Sequence, residues 1–288
     1  MNQWIKKLNQ IWNSTQDIDA NLEDIIKVSI KRNALTQMRL QNQYLNPWSY
    51  KFHKPDLDHE TNIETRKPAN VAMVKKYEDG EIRYDFNNYG FRCEDIKEKT
   101  NDDLVIVSLG CSFTFGAGVS VEDRWSDVLC KKIQETTSLK VKNYNLALEG
   151  HTNDYCARTL YKTISNLKPD IYFILFTFRN RLEWIDDHGK LDQVIPGYDT
   201  RFIEVANDGI AMYNFNKNLV LIRALCESHR VPFLFSTVDP LIDKQCAELN
   251  NYIGKFNHST LSIDNEHPGP KCHYKLAEQF FKKYKTLI

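Results

Sequence analysis

The sequence predicts an α/β fold: a three-layer α/β/α sandwich around a mainly parallel sheet, with a helical N-terminal extension. Three observations predict it. From about residue 103, short apolar runs alternate with segments of helical periodicity. Several of these runs are apolar at nearly every position, which is typical of parallel strands that helices cover on both faces. The length of 288 residues suits one large α/β domain with an additional segment.

The strands and helices of the main domain follow from these patterns. Residues 104–109 and 170–178 are the most continuous apolar runs. Ser120 and Asp123 form a capping-box-like start for the helix expected over 120–135. Pro169 ends the helix expected over 153–167. Strands are expected at 104–109, 141–146, 170–178 and 231–237, and helices at 120–135, 153–167, 216–230 and 271–284.

The first hundred residues have a different pattern, so we expect an extension over 1–100 and a main domain over 101–288. Apolar residues recur at helical spacing over 4–12 and 18–26, which predicts two helices docked on the main domain. A membrane-surface or partner-binding role for these helices stays open, although their polar face is not notably basic.

Two further features are expected within the extension. Residues 45–70 contain three prolines among many polar residues and are predicted to be irregular. The Asp79-Gly80 pair between polar and aromatic flanks predicts a hairpin over residues 76–84.

Composition excludes several classes of function. The 38 basic and 38 acidic residues cancel, so the charge balance favours neither nucleic acid nor an acidic membrane as partner. No apolar run is long enough to span a bilayer, and the start of the chain does not resemble a signal peptide. The seven cysteines are odd in number and include no C-x-x-C pair, which predicts reduced thiols in a cytoplasmic protein. No cofactor or metal is expected, and the oligomeric state is left open.

A glycine-rich segment from Gly110 to Gly118 follows the first predicted strand. A phosphate loop would need a lysine that this segment lacks, and a dinucleotide fingerprint would need glycine where Val121 stands. The hydrolase elbow G-x-S-x-G also fails, because Thr114 replaces its last glycine. What remains is Ser112 at the carboxyl end of a buried strand. A serine that only caps a turn stays open as an alternative.

Asp264 and His267 supply the groups that a nucleophilic serine needs. A serine hydroxyl is a poor nucleophile until a base takes its proton, and that base needs an acidic partner. An aspartate three residues before a histidine, in a turn ahead of the last helix, can reach the imidazole. A surface histidine is the alternative for His267. Cys111 is a second candidate nucleophile, but adjacent side chains on a tight turn point apart, and His273 is expected only to begin a helix.

Four segments together resemble the conserved blocks of the SGNH (GDSL-like) hydrolases. The segment from Gly110 to Gly116, which reads GCSFTFG, resembles the first block G-D-S-x-T-x-G. Asp264-x-x-His267-Pro268, followed by a helix, resembles the last block. Residues 145–150 resemble the second block, and residues 177–181 resemble the third. All four occur in the family order after the expected strands.

This resemblance implies a serine esterase or acyltransferase with a flavodoxin-like α/β fold. Ser112 would be the nucleophile, His267 the general base and Asp264 the group that orients His267. The Ser112 N–H, the Gly150 N–H and the Asn180 side-chain amide would form the oxyanion hole. We expect hydrolysis of a small acyl ester, with acetyl as one candidate, on a polar small-molecule or carbohydrate substrate. An O-acyltransferase and a non-catalytic protein that keeps the fold are the alternatives.

Two departures from the family pattern bear on these expectations. Cys111 replaces the aspartate of the first block, which is structural in the family. In the third block, Arg179 and Arg181 flank Asn180 in place of the usual Gly-x-Asn-Asp. Arg181 and Trp184 lie in the segment that leaves the third strand, and we expect them to contact a sugar or another polar ester. A solvated loop with one anchoring aromatic residue is the alternative.

Overall fold

The computed structural model describes residues 71–185, 191–194 and 207–287. The first described element is an antiparallel hairpin of β1 (Ala72–Tyr77) and β2 (Gly80–Asp85). It confirms the hairpin that the Asp-Gly pair predicts. The helices expected over 4–12 and 18–26 and the irregular segment over 45–70 lie outside the described residues.

The main element is a five-stranded sheet in which every described strand pairing is parallel. The strands are β3 (Asp103–Gly110), β4 (Lys140–Asn145), β5 (Ile171–Phe176), β8 (Phe233–Thr237) and β9 (Tyr252–Lys255). Their order in the sheet is β4-β3-β5-β8-β9, so the first strand of the sheet has its second and third strands on either side. In such doubly wound sheets, sites lie at the carboxyl ends of the strands where the connections diverge.

Helices cover both faces of this sheet. The described part of the chain has helices α1 (Ser112–Phe115), α2 (Trp125–Gln134), α3 (Asn153–Leu167), α4 (Asp208–His229), α5 (Pro240–Cys246) and α6 (Pro270–Tyr284). Helices α2 and α6 pack together on one face, and α3 and α4 pack together on the other. Along β3, Val105 and Val107 face the core under α3 and α4, while Ile106 faces the core under α2 and α6. This alternation confirms the three-layer α/β/α fold with a parallel sheet.

The predicted boundaries fail in places where local hydrogen bonds compete with the periodic pattern. The helix expected over 120–135 is interrupted, because Val121–Asp123 forms a 3-10 turn and α2 begins only at Trp125. Ser120 Oγ donates to the Asp123 carboxylate at 2.9 Å and does not cap the backbone. Helix α4 begins eight residues before the predicted start at residue 216, because the Asn207 side chain accepts the Ile210 N–H at 2.8 Å.

Several short elements are absent from the sequence prediction. Strand β9 has only four residues and includes a glycine, so its apolar signal is weak. A small antiparallel hairpin of β6 (Leu182–Ile185) and β7 (Leu191–Val194) follows β5, and the short helix α5 follows β8. No helix in the described residues is both long and apolar enough to cross a membrane.

Helices α2 and α6 are joined by a buried histidine. His273 lies in the first turn of α6, as expected, and it is fully buried. Its Nδ1 accepts the Trp125 N–H at 3.1 Å and so satisfies the first amide of α2. Burial and the charge of Arg124 lower the pKa of His273 to about 4, so the imidazole stays neutral in the folded protein.

Lowering the pH from 6.5 toward 4 should therefore reduce the free energy of unfolding. In this range the unfolded chain binds a proton at His273 that the folded chain excludes. The lowering of the His273 pKa from 6.5 to about 4 corresponds to about 3 kcal/mol of the free energy of unfolding. Urea unfolding of the parent and of His273→Gln at a series of pH values measures this effect. In the variant, the free energy of unfolding should depend less on pH between 6.5 and 4. The same dependence on pH in both proteins would show that His273 does not have a lowered pKa in the folded protein.

Candidate active site

Ser112 lies on the turn between β3 and α1. It is the first residue of α1 and is almost completely buried. The helix ends after one turn at Gly116, whose φ of 81° is left-handed. Gly118 has a φ of 71°, and a Cβ at this position would lie 2.6 Å from Asp264 Cγ. Glycine is needed there because the turn that carries Ser112 packs directly against the aspartate of the predicted triad.

The buried side chain of Arg92 supports the turn from Gly116 to Val119, which follows α1. Its Nη1 donates to the Gly116 carbonyl at 2.6 Å. Its Nη2 donates to the Val119 carbonyl at 2.9 Å. The guanidinium carbon lies 4.3 Å from the centre of the Tyr84 ring. The Tyr84 hydroxyl in turn accepts the Gly118 N–H at 2.9 Å, so the β1–β2 hairpin is part of the wall that supports the turn.

Arg124 is a second buried arginine beside Arg92. Its Nη1 donates to the Phe115 carbonyl at 3.2 Å and to the Arg92 carbonyl at 2.8 Å. Its Nε forms an ion pair with Asp127 at 2.5 Å. Burial, together with the charge of Arg124, lowers the pKa of Arg92 to about 10. Neither arginine is predicted as a site residue from the sequence, because neither belongs to one of the four blocks. The nearest signal is Phe91, which precedes Arg92 and is buried.

Asp264 and His267 occupy one tight loop between β9 and α6. An antiparallel bridge between Leu261 and Pro268 closes this loop. Inside it, the Asp264 Oδ2 lies 2.8 Å from the His267 Nδ1, within hydrogen-bond distance. The structure therefore brings together the acid and the base that the sequence predicts, and it leaves the His267 Nε2 on the other side of the ring.

The Asp264 carboxylate is held by several donors besides the imidazole. Its Oδ1 accepts the Ser262 hydroxyl at 2.6 Å and the backbone N–H groups of Glu266 and His267 at 3.0 and 2.9 Å. Burial raises the pKa of this carboxyl, but the three hydrogen bonds and the imidazole outweigh burial and bring the pKa to about 2. Asp264 is therefore ionised throughout the neutral range and can orient a neutral or a protonated His267.

The His267 ring packs beside the turn that carries Ser112. It meets the ring of Phe113, the residue after Ser112, edge-on with 5.8 Å between the ring centres. The ring of the exposed His258 also lies beside the Phe113 ring, with 5.9 Å between the ring centres. Among the described hydrogen bonds, none joins the Ser112 hydroxyl to His267. In enzymes without substrate this bond is often long, and it tightens when substrate binds.

The three predicted oxyanion donors follow the carboxyl ends of three adjacent strands. Gly150 follows β4, Ser112 follows β3 and Asn180 follows β5. Within the part of the chain that the structure describes, no hydrogen bond uses the Gly150 N–H, the Ser112 N–H or the Asn180 amide. Three donors at the carboxyl ends of the strands therefore have no hydrogen-bond partner among the described residues.

The two arginines of the third block, Arg179 and Arg181, have different surroundings. Arg179 Nη1 binds Asp239 Oδ2 at 2.8 Å, and its Nη2 binds Asp208 at 2.7 Å, so this side chain is committed to structure. Arg181 is half-buried, with its guanidinium carbon 5.6 Å from the centre of the Phe178 ring. Trp184 is the third residue of β6, and its side chain lies outside the described part of the protein.

Comparison with known proteins gives likeness in structure only. No protein-family model matches the sequence, and no curated protein matches it either. The structure of TesA is 14% identical, covers 64% of this chain and 99% of its own, and has a TM-score of 0.45. A putative lipolytic protein of the G-D-S-L family from Desulfitobacterium hafniense DCB-2 is 16% identical, covers 62% and 99%, and has a TM-score of 0.41.

A family 3 carbohydrate esterase from Clostridium thermocellum is 13% identical, covers 64% of this chain and 96% of its own, and has a TM-score of 0.40. The solved structures that this chain is similar to thus include a member of the G-D-S-L class, which is the class that the four sequence blocks resemble. At these identities and TM-scores the likeness carries no argument about activity, which has to rest on the residues of the site.

Replacing Arg92 by glutamine should destabilise the protein by about 3 kcal/mol, because the shorter side chain leaves buried carbonyl groups without donors. The matched control is Arg83→Gln in β2, whose exposed ion pair with Asp85 should contribute much less to the free energy of unfolding. Urea unfolding measures both. A loss in Arg92→Gln no larger than that in the control would show that the buried guanidinium does not support the turn.

Proposed function

We propose that this protein is a serine esterase in which Ser112 attacks the ester carbonyl, His267 takes its proton and Asp264 orients the imidazole. The observation that carries the proposal is the 2.8 Å contact between Asp264 and His267 Nδ1 on a ring that packs against Phe113, next to Ser112. The contact leaves the His267 Nε2 as the basic atom. A nucleophile, a base and an orienting acid are the minimum set for acyl transfer through a serine.

The proposed reaction runs in two halves. In the first, the Ser112 hydroxyl loses its proton to His267 Nε2 as the oxygen bonds to the ester carbon, and His267 then gives that proton to the departing alcohol. In the second, His267 Nε2 takes a proton from water as the water oxygen bonds to the acyl carbon. His267 then gives that proton to Ser112 Oγ as the acyl–oxygen bond breaks, which releases the acid and restores the serine. The ionised Asp264 stabilises the imidazolium that forms in each half.

The uncommitted donors support a role in binding the oxyanion. The negative oxygen of each tetrahedral intermediate would accept hydrogen bonds from the Ser112 N–H, the Gly150 N–H and the Asn180 amide. The Gly150 φ of 75° is left-handed, so the turn after β4 requires glycine at this position.

The polar residues of this region favour a polar substrate. Asn180 and Arg181 follow β5, the strand next to the one that ends before Ser112, and the exposed His258 lies beside the ring of Phe113. An acetyl ester of a carbohydrate combines a small acyl group with a polar alcohol, and it is the substrate class that we propose to test first. Release of acetate in water, compared with transfer to an added alcohol, separates an esterase from an O-acyltransferase of the same fold.

We also propose that the protein works in a reducing compartment, as in the cytoplasm. All seven cysteines are free thiols, and six of them are buried. Desolvation by burial raises the pKa of several of these thiols, Cys226 to about 12 among them, which keeps them protonated and unreactive.

A fluorophosphonate probe should label the parent protein and should fail to label Ser112→Ala. The probe reacts with an activated serine hydroxyl, which the variant lacks. The matched control is Cys111→Ala, which removes the neighbouring side chain and should leave labelling intact, since Cys111 is buried. Gel fluorescence with equal amounts of folded protein measures the reaction. Labelling of Ser112→Ala at the parental rate would overturn the serine mechanism.

Asn180→Ala should lower kcat by about 10²-fold to 10³-fold with a much smaller change in KM, because an oxyanion donor acts mainly in the transition state. Asn250→Ala, at an exposed asparagine before β9, is the control and should behave as the parent. Initial rates on 4-nitrophenyl acetate give both constants. A variant that changes KM alone would assign Asn180 to substrate binding.

A further inference from the structure

Within the residues that the structure describes, Arg181 differs from the other arginines of its region in having no counter-ion. Arg179 pairs with Asp239 and Asp208, and Arg158 pairs with Glu183 at 2.7 Å. For Arg181, the described part of the protein provides no carboxylate within ion-pair distance. Its Nη1 is fully buried and has no hydrogen-bond partner.

The backbone on both sides of Arg181 is fixed. On one side, the Arg179 N–H and guanidinium are both bound by the buried carboxylate of Asp239. On the other side, the Glu183 N–H donates to Asp154 at 3.1 Å, and the Glu183 carboxylate accepts from Arg158. Asn180 and Arg181 are therefore held between two anchored residues while their own side-chain donors are uncommitted.

The position of Arg181 relates it to the reacting serine. The sheet register pairs Gly110 with Leu175, so Ser112 and Thr177 are two residues beyond paired positions on adjacent strands. The Thr177 backbone is tied to Asn153 by hydrogen bonds of 2.9 and 3.2 Å. Phe178, on whose ring Arg181 lies, packs on the same core cluster as Phe113. Arg181 thus follows the strand that lies next to the one carrying Ser112 at its end.

We propose that Arg181 is a specificity-determining residue that binds an anionic group of the substrate, a carboxylate or a phosphate, beside the scissile ester. A buried guanidinium N–H without an acceptor is costly, and the planar fork of arginine matches two oxygens of such an anion. The inference rests on the proposed function, since it names the substrate class of the same site. It predicts an acylated acidic sugar or a similar charged ester as the preferred substrate.

Three monoacetylated compounds test the charge preference: methyl glucuronide, glucose 6-phosphate and, as the neutral reference, methyl glucoside. At low ionic strength, kcat/KM of the parent for one or both anionic esters should exceed that for the neutral ester by about 10-fold to 100-fold. Comparing the two anionic esters shows whether the site prefers a carboxylate or a phosphate. Added salt should reduce the preference.

Arg181→Gln should bring this ratio close to one, and Arg181→Lys should give an intermediate ratio because it keeps the charge without the fork. Arg223→Gln, at an exposed arginine of α4 paired with Glu227, is the control and should keep the parental ratio. A parental ratio near one for both anionic esters would overturn the inference. An unchanged ratio in Arg181→Gln would also overturn it, and would show that the arginine is hydrated or acts equally on every substrate.

Binding of the same compounds to Ser112→Ala separates this inference from the proposed function. Isothermal titration to this variant reports charge recognition without any cleavage. If the parent cleaves none of the esters while the variant still binds the anionic ones more tightly, the esterase proposal fails and the role of Arg181 stands. If cleavage occurs and binding to the variant shows no charge preference, the role of Arg181 fails and the esterase proposal stands.

Discussion

The buried guanidinium of Arg92 holds the backbone turn on which the candidate site depends. The turn from Gly116 to Val119 directs its carbonyl groups into the protein, where water cannot satisfy them. Arg92 supplies donors to two of these carbonyls and rests on the ring of Tyr84. Without such donors, a one-turn helix of four residues would have little to fix its direction at the end of β3.

The same contacts join parts of the chain that are distant in sequence. Arg92 and Tyr84 come from the segment before the sheet, and Arg124 comes from the start of α2. The loop of Asp264 packs on the outer side of the same turn, where Gly118 leaves room for its carboxylate. The position of Ser112 relative to the acid and the base is therefore set by packing across three segments. Arg92 and Tyr84, which lie within the segment 1–100 expected to form an extension, hydrogen-bond to the turn that follows Ser112.

The extent to which the sequence predicts this architecture depends on the range of the interactions. Strands such as 104–109 are apolar at nearly every position, so burial alone identifies them. Asp264 and His267 are three residues apart, so one local turn brings them together. Both could be predicted without knowledge of the fold. Ser112 is a candidate from its place after the first predicted strand, and the resemblance to known blocks adds Gly150 and Asn180, which follow the two strands on either side.

What the sequence did not predict arises from long-range pairing or from competing local bonds. Arg92 looks like a surface residue until its aromatic neighbours and the carbonyls of a distant turn surround it. The break at Arg124 arises because Ser120 bonds to a side chain in place of a backbone amide. Strand β9 is short and contains Gly254, so only its pairing with β8 defines it. That no carboxylate of the described residues pairs with Arg181 is likewise visible only in three dimensions.

Whether Ser112 is the nucleophile activated by His267 is tested by locating the acyl group on the enzyme. The protein is mixed with 4-nitrophenyl acetate, quenched in acid within the first turnover, digested and mapped by mass spectrometry. We expect an acetyl group on Ser112, formed more slowly in His267→Gln. An acetyl group on Cys111, or turnover with no acetylated peptide from residues 110–118, would contradict it.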